Sequence, residues 1–205
     1  MSLIHYFLAD ADKRALFIFN SIAPIYGRLS YSLERNFIFS MNALLKVIPI
    51  EGKSVLDIGT GTGAWAANFK KAGAARVFGI DFSQKMLEQA KANYAAIEFE
   101  FGNAIDLNQF ADNSFDIVTA SFVLHGVKEP VRSKIILEMK RISKKYVVIH
   151  DFVGNTPLFV RLLEFMERSD YKYFKKNICD ELKSQFAKTQ KILVKFGTGI
   201  YLAEK

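Results

Sequence analysis

Three glycines at positions 59, 61 and 63 alternate with threonines in VLDIGTGTG (Val55 to Gly63), between an apolar run and an alanine-rich helical stretch. Glycine lets a backbone turn sharply and come close to a ligand where side chains would intervene. Gly59-x-Gly61-x-x-Ala64 formally satisfies the dinucleotide pattern, with Asp81 at about the distance expected of a ribose-binding acid. Glycine spacing alone therefore leaves the ligand open. Asp57, two residues before the first glycine, discriminates: beside a pyrophosphate its carboxylate adds repulsion, whereas beside a cationic amino-acid moiety it adds attraction. Asp81 can accept hydrogen bonds from two neighbouring hydroxyls. His125, in SFVLHGV, titrates near neutrality and is the candidate to take a proton. His150 and Asp151 end a further apolar run and are expected to point at the same crevice, with Asp151 touching a second substrate. One cysteine, Cys179, excludes an internal disulfide and a cysteine-built zinc site, and three scattered histidines give no reason to expect a metal.

These residues need a scaffold that brings strand ends together. From Ser54 onward, short β-rich runs alternate with helical periods: SVLDIG, a helix over Ala64 to Lys71, ARVFGID, a helix from Gln84 through Tyr94, IEFEFGNA (Ile97 to Ala104), FDIVTASF (Phe115 to Phe122), a helix bearing Ile135, Ile136, Met139 and Ile142, and KYVVIHDF (Lys145 to Phe152). This βαβ series predicts an α/β fold with a largely parallel sheet covered by helices on both faces. Ligands then sit outside the carboxyl ends of the strands, where the glycine turn lies. A long amphipathic helix is expected over about Pro157 to Lys176. ILVKFG (Ile192 to Gly197) and GIYLAEK (Gly199 to Lys205) are too close for a crossover and predict an antiparallel hairpin. Residues 1–50 read as two helical stretches joined at Ala23 to Gly27, a cap over a ligand-binding domain of residues 51–205.

VLDIGTGTG, then VFGIDFSQKMLEQAK, GNAIDLNQFADNSFDIVTASFVLHGV and the closing hairpin, in that order, resemble a class I S-adenosylmethionine-dependent methyltransferase. The resemblance implies a Rossmann-like seven-stranded sheet whose last strand is antiparallel. It implies S-adenosylmethionine as cofactor and S-adenosylhomocysteine as product. The ligand carries an ammonium and a sulfonium and no phosphate, in keeping with Asp57. It places Gly59, Thr60, Gly61 and Gly63 around the methionine portion, Asp81 on the ribose, Phe82 against adenine, and Asn103 and Ala104 at the adenine edge, with Asn where the family commonly has an acid. Ala120, Ser121 and Phe122 would line the methyl-transfer side. IFNSIAPIYGRLSYSLERNF (Ile18 to Phe37) is similar to the entry segment of the ubiquinone/menaquinone-biosynthesis methyltransferases, which implies that Tyr26 reaches the substrate from a helical lid; Gly27 stands where that group has Asp. Phe17, Phe19, Phe37 and Phe39 are candidate walls of an apolar acceptor pocket.

The segment after the fourth strand reads Ala120-Ser121-Phe122-Val123, without the proline-rich block of DNA amino-methyltransferases, and it holds no thiol for cytosine C5 chemistry. The 205 residues are 50% apolar and carry a net charge of +7, with lysines spread along solvated faces rather than gathered into an aromatic-lined groove. A small-molecule acceptor is the first expectation. Methylation of RNA or protein, or a non-catalytic partner protein that only binds the cofactor, are the alternatives. No apolar run reaches the ~18 residues of a membrane span, and Asp10 and Asp12 sit where a signal peptide would be apolar, so a cytoplasmic protein is expected. Oligomeric state has no signature.

Overall fold

Strands covered on both faces have no reason to alternate apolar with polar, and the near-continuous apolar runs of this chain fold into strands of that kind. The computed structural model describes residues 20–21, 34, 37–154, 170–195 and 197–205. Tyr26, Phe17, Phe19, the Ala23 to Gly27 junction and most of the helix expected before residue 170 lie outside the described residues.

One sheet contains β1 (Ser54–Ile58), β2 (Arg76–Asp81), β3 (Glu98–Phe101), β4 (Phe115–Ser121), β5 (Ser143–Phe152), β6 (Lys188–Leu193) and β7 (Thr198–Glu204), in the order β3-β2-β1-β4-β5-β7-β6. β1 to β5 are mutually parallel, and β7 runs antiparallel to both of its neighbours. The strand order reverses between β1 and β4, and it is at the carboxyl ends flanking such a switch point that open α/β sheets bind their ligands.

Helices cover both faces. Residues 37–44 (α1), Ala64–Lys71 (α2) and Gln84–Asn93 (α3) pack on one side, where Met41, Leu44, Trp65, Phe69, Leu87 and Ala90 meet Val55, Val77, Ile117 and Val148. Glu129–Ile142 (α4) and Tyr171–Gln185 (α5) cover the other, with Ile135, Ile136, Met139, Phe174, Ile178 and Leu182 against Leu56, Ile80, Val118 and Val147. Ser83 caps α3 by accepting the Met86 amide at 3.2 Å, and Pro130 sits in the first turn of α4, where a missing N–H costs nothing. Half-buried Cys179 packs beside this second core as a small apolar group.

Several boundaries depart from the periodicity. β6 begins at Lys188, not Ile192, because KTQKIL is an edge strand whose exposed lysines hide it from a search for apolar runs. β3 stops at Phe101, since Asn103 turns the chain: its Oδ1 accepts the Ile105 amide at 3.2 Å. The described helix before the hairpin, α5, runs to Gln185, beyond the expected end at Lys176.

Candidate active site

The glycine turn is bent by three left-handed residues, Gly59 (φ 68°), Gly61 (φ 56°) and Gly63 (φ 84°), but the three serve different ends. A Cβ on Gly59 would lie 2.5 Å from Val123 Cγ2, so this glycine lets the loop after β4 close against the turn. A Cβ on Gly63 would meet the rings of Phe99 and Tyr94 at 2.8 and 2.9 Å. Around Gly61 it would meet no atom of the described residues within 4 Å, so Gly61 is the one of the three with space above its backbone among them.

Asp57 is fully buried beneath this turn. Its Oδ2 accepts from the Thr60 hydroxyl at 2.7 Å, while Oδ1 has no hydrogen-bond donor among the described residues. Burial pushes its carboxyl up to about 7; the Thr60 hydroxyl opposes this, the nearby Asp81 charge adds to it, and the Ala66 amide opposes it least. Asp81 sits at the end of β2 with Oδ2 accepting the Gly61 amide and Oδ1 the Ser83 amide, each at 2.8 Å. The carboxylate therefore braces the glycine turn from the neighbouring strand, and each oxygen retains a lone pair for a further donor. Burial raises its pKa, against the pull of those amides.

Phe82 is half-buried beside Asp81, and Asn103 is exposed with its side chain bent back on its own turn, next to half-buried Ala104. In register with Asp81 on β3 stands Phe101, 64% exposed, an aromatic surface at the same edge that sequence reading passed over as an ordinary strand residue. Phe37 lies over Trp65 and His150, whereas Phe39, expected in the same apolar wall, is 42% exposed with the Lys195 ammonium above its ring.

At the carboxyl end of β5 the structure separates two residues expected to share a crevice. Successive strand residues point to opposite faces. His150 enters the α1–α2 side, stacked on Trp65 with centroids 5.0 Å apart, its Nε2 2.8 Å from Ser40 Oγ and its Nδ1 2.9 Å from Ser121 Oγ. Asp151 enters the α4–α5 side, where its Oδ1 lies 2.8 Å from His125 Nδ1, within ion-pair distance. The amides of Phe152 and His125 also donate to Asp151, at 2.8 and 3.3 Å. Asp151, expected to touch a second substrate, is wholly covered and lies against the His125 imidazole instead of facing open space.

His125 sits on a 3-10 turn, Leu124–Gly126, ringed by Phe122, Phe152, Tyr171 and Phe174 at centroid distances of 4.9 to 6.4 Å. Phe122 holds φ at 54°, a costly conformation for an aromatic residue, and its amide donates to the His150 carbonyl at 2.9 Å. Arg132, fully buried, clamps the turn from below: it donates to the carbonyls of Leu124 and Val127, to both oxygens of Glu181 at 2.8 Å, and to Asp170 at 3.1 Å. Sequence reading missed Arg132, although it shares a helical stripe with Ile135, Ile136 and Met139. Among the described residues no group of three or more His, Cys, Asp or Glu is arranged to hold a metal, and no helix is long and apolar enough to cross a membrane.

A sulfonium nucleoside fits these residues. A buried carboxylate with an unanswered oxygen favours a cation above it, bare backbone at Gly61 leaves room, and Asp81 has capacity for ribose hydroxyls.

Residues 55–146 match the family described as "Methyltransferase domain". The demethylmenaquinone methyltransferase of Lactococcus lactis subsp. lactis (strain IL1403) is 30% identical over 192 residues, covering 88% of this chain and 72% of that protein. The ubiquinone/menaquinone biosynthesis C-methyltransferase UbiE of Bdellovibrio bacteriovorus is 38% identical over 126 residues, covering 58% of this chain and 52% of that protein. The chain thus spans between about half and 72% of the length of these curated relatives. Magnesium protoporphyrin IX methyltransferase from Synechocystis PCC 6803, solved with bound S-adenosylhomocysteine, shares the fold at a TM-score of 0.70 and 19% identity, over 96% of this chain and all of that one. With the seven-stranded sheet, the glycine turn at the switch point and these relatives, the chain belongs to the class I S-adenosylmethionine-dependent methyltransferases.

Proposed function

We propose that this enzyme methylates a small hydroxylated aromatic ring of the reduced-quinone class. The observation that carries this reading is the His125–Asp151 pair ringed by aromatic side chains, a proton acceptor in surroundings suited to a flat apolar ring. The names of the relatives support it, since they act on demethylmenaquinone or in ubiquinone/menaquinone biosynthesis.

When bound, S-adenosylmethionine would supply a sulfonium methyl group, the electron pair of the C–S bond staying on sulfur. The acceptor must offer an electron pair. A quinone ring carbon is electron-poor, whereas the dihydroxy form becomes strongly nucleophilic at carbon once a hydroxyl loses its proton. His125, steadied at Nδ1 by Asp151, takes that hydroxyl proton; the new C–C bond forms, the ring carbon then loses its own proton to water, and the phenolate so restored takes back the proton held on His125. Phe122 and Phe152 orient the ring by edge and face contacts. In this reading Gly59, Thr60, Gly61 and Gly63 hold the methionine portion, Asp81 the ribose, and Phe82, Asn103 and Ala104 the adenine. The remaining task is holding donor and acceptor in line, which is worth several powers of ten in rate.

The test is methyl transfer to a 1,4-dihydroxynaphthalene kept reduced, followed as S-adenosylhomocysteine release. His125→Ala and Asp151→Asn should each lower kcat by about 10²-fold or more, the contribution expected of a positioned acid–base group, with cofactor affinity unchanged. Full activity in both variants, or methylation of RNA in place of the naphthol, would exclude the reading.

A further inference from the structure

His150 occupies a position that methyl transfer to the acceptor does not explain. It is 2% exposed, walled by Trp65, Phe37 and Phe122, yet both ring nitrogens have hydroxyl partners: Ser40 on α1 and Ser121 at the end of β4. The side chains of Asp57, Thr119 and Ser121 enter the same face of the sheet. Trp65 Nε1 donates to Thr119 Oγ1 at 2.9 Å and Thr60 to Asp57, which leaves half-buried Ser121 as the hydroxyl at the outer end of this polar row. Because Ile58 pairs with Ala120, Ser121 stands level with Gly59, where the glycine turn begins.

We propose that His150 is a positioning residue for the amino-acid end of the cofactor: bonded to Ser40 on one side and Ser121 on the other, it fixes the Ser121 hydroxyl toward the ligand and makes that orientation depend on α1.

The chemistry follows from the proton inventory of a neutral imidazole, which has one donor and one acceptor nitrogen. If Nε2–H donates to Ser40, then Ser121 donates its proton to Nδ1 and presents oxygen lone pairs, suited to an ammonium. If Ser40 donates to Nε2, then Nδ1–H donates to Ser121 and frees its proton for a carboxylate. Either tautomer gives Ser121 one defined role, where an isolated serine would rotate among several. Burial favours the neutral ring, pushing its pKa down to about 4 although the Asp151 charge opposes this. Ser40, itself buried, communicates with Ser121 through the imidazole. Thus α1, which packs on the core through Met41 and Leu44, is wired to the ligand as well as to the hydrophobic interior.

The decisive comparison is S-adenosylhomocysteine against 5′-methylthioadenosine, which keeps the nucleoside and sulfur but lacks the amino-acid end. Titration calorimetry on Ser40→Ala, Ser121→Ala and His150→Phe should show S-adenosylhomocysteine bound about tenfold more weakly by each, as for loss of one hydrogen bond to a charged group, with 5′-methylthioadenosine affinity unchanged. Adding Ser40→Ala to Ser121→Ala should cost nothing further, since both break one chain. Equal weakening of both ligands, or no weakening of either, overturns the proposal. Should His150→Phe fail to fold, the two serine variants carry the same test. In the unaltered protein the ¹⁵N resonances of His150 should shift on adding S-adenosylhomocysteine and stay in place with 5′-methylthioadenosine; identical responses would also overturn it. These measurements involve no acceptor and stand apart from the quinol assignment.

Discussion

Asp57 and His150 should give this protein a stability profile in which two opposing pH dependences overlap. In the native protein Asp57 keeps its proton up to about 7, whereas in the unfolded chain it loses it near 3.8. Between those values the native state holds more protons than the unfolded state, so stability falls as pH rises and levels off above 7. For His150 the order is reversed: the unfolded chain gains a proton below 6.5, the native protein only near 4, so its contribution is whole above 6.5 and lost as pH falls towards 4. Each pH unit of separation corresponds to about 1.4 kcal/mol, which gives roughly 4 kcal/mol for the carboxyl and roughly 3 kcal/mol for the imidazole. Both groups are completely buried, so solvent screening reduces neither appreciably. In the cofactor-free protein the two slopes nearly cancel from pH 4 to 6.5. Substitution separates them. Urea unfolding at half-unit pH steps should show Asp57→Asn gaining about 4 kcal/mol relative to the parent between pH 4 and 7, while His150→Phe loses about 3 kcal/mol relative to the parent between pH 4 and 6.5. Differences taken against the parent remove the contributions of the other carboxylates. Flat difference curves, or two curves of the same sign, would refute the assignment of a protonated Asp57 and a neutral His150 to the native state.

Two further predictions concern the glycine turn and its brace. Gly59→Ala should destabilise the fold by about 2 kcal/mol or more, because its Cβ meets Val123 and its φ is left-handed, whereas Gly61→Ala carries only the conformational cost of about 1 kcal/mol and acts mainly on ligand binding by filling open space; urea titration alongside S-adenosylhomocysteine calorimetry separates the two, and equal stability losses would contradict the division of roles. Asp81→Asn should weaken S-adenosylhomocysteine by tenfold or more and cost about 1 to 3 kcal/mol of stability, since an amide can accept from either the Gly61 or the Ser83 amide but turns a donor toward the other; unchanged affinity would remove Asp81 from the ribose.

The positive charge of the chain is partly answered within the fold. Arg141 forms ion pairs with Glu138 and Asp112 and donates to the carbonyls of Leu107 and Phe110, and Arg132 is enclosed with two carboxylates. These arginines serve as braces between helices and loops, and the exposed lysines carry most of the excess, as at Lys191 on the edge strand. An edge decorated this way resists pairing with another chain.

Sequence by itself determined the order of β1 to β5, the helix over Ala64 to Lys71, the turn at Gly59 to Gly63 and the antiparallel ending, because each is written locally as apolar period, glycine conformation or a connection too short to cross over. It also named Asp57, Asp81, His125 and Asp151, since a carboxylate or imidazole at a strand end is visible in the chain. What it could not supply was which of them meet. His150 and Asp151 are neighbours in sequence but face opposite sides of the sheet, so one joins Ser40 and Ser121 and the other joins His125. Ser40 lies 110 residues from its partner, and Arg132 reaches 49 residues to Glu181. Such pairings arise from how helices settle on the two faces of the sheet, a long-range choice made by packing of the whole core, and no local pattern of residues encodes it.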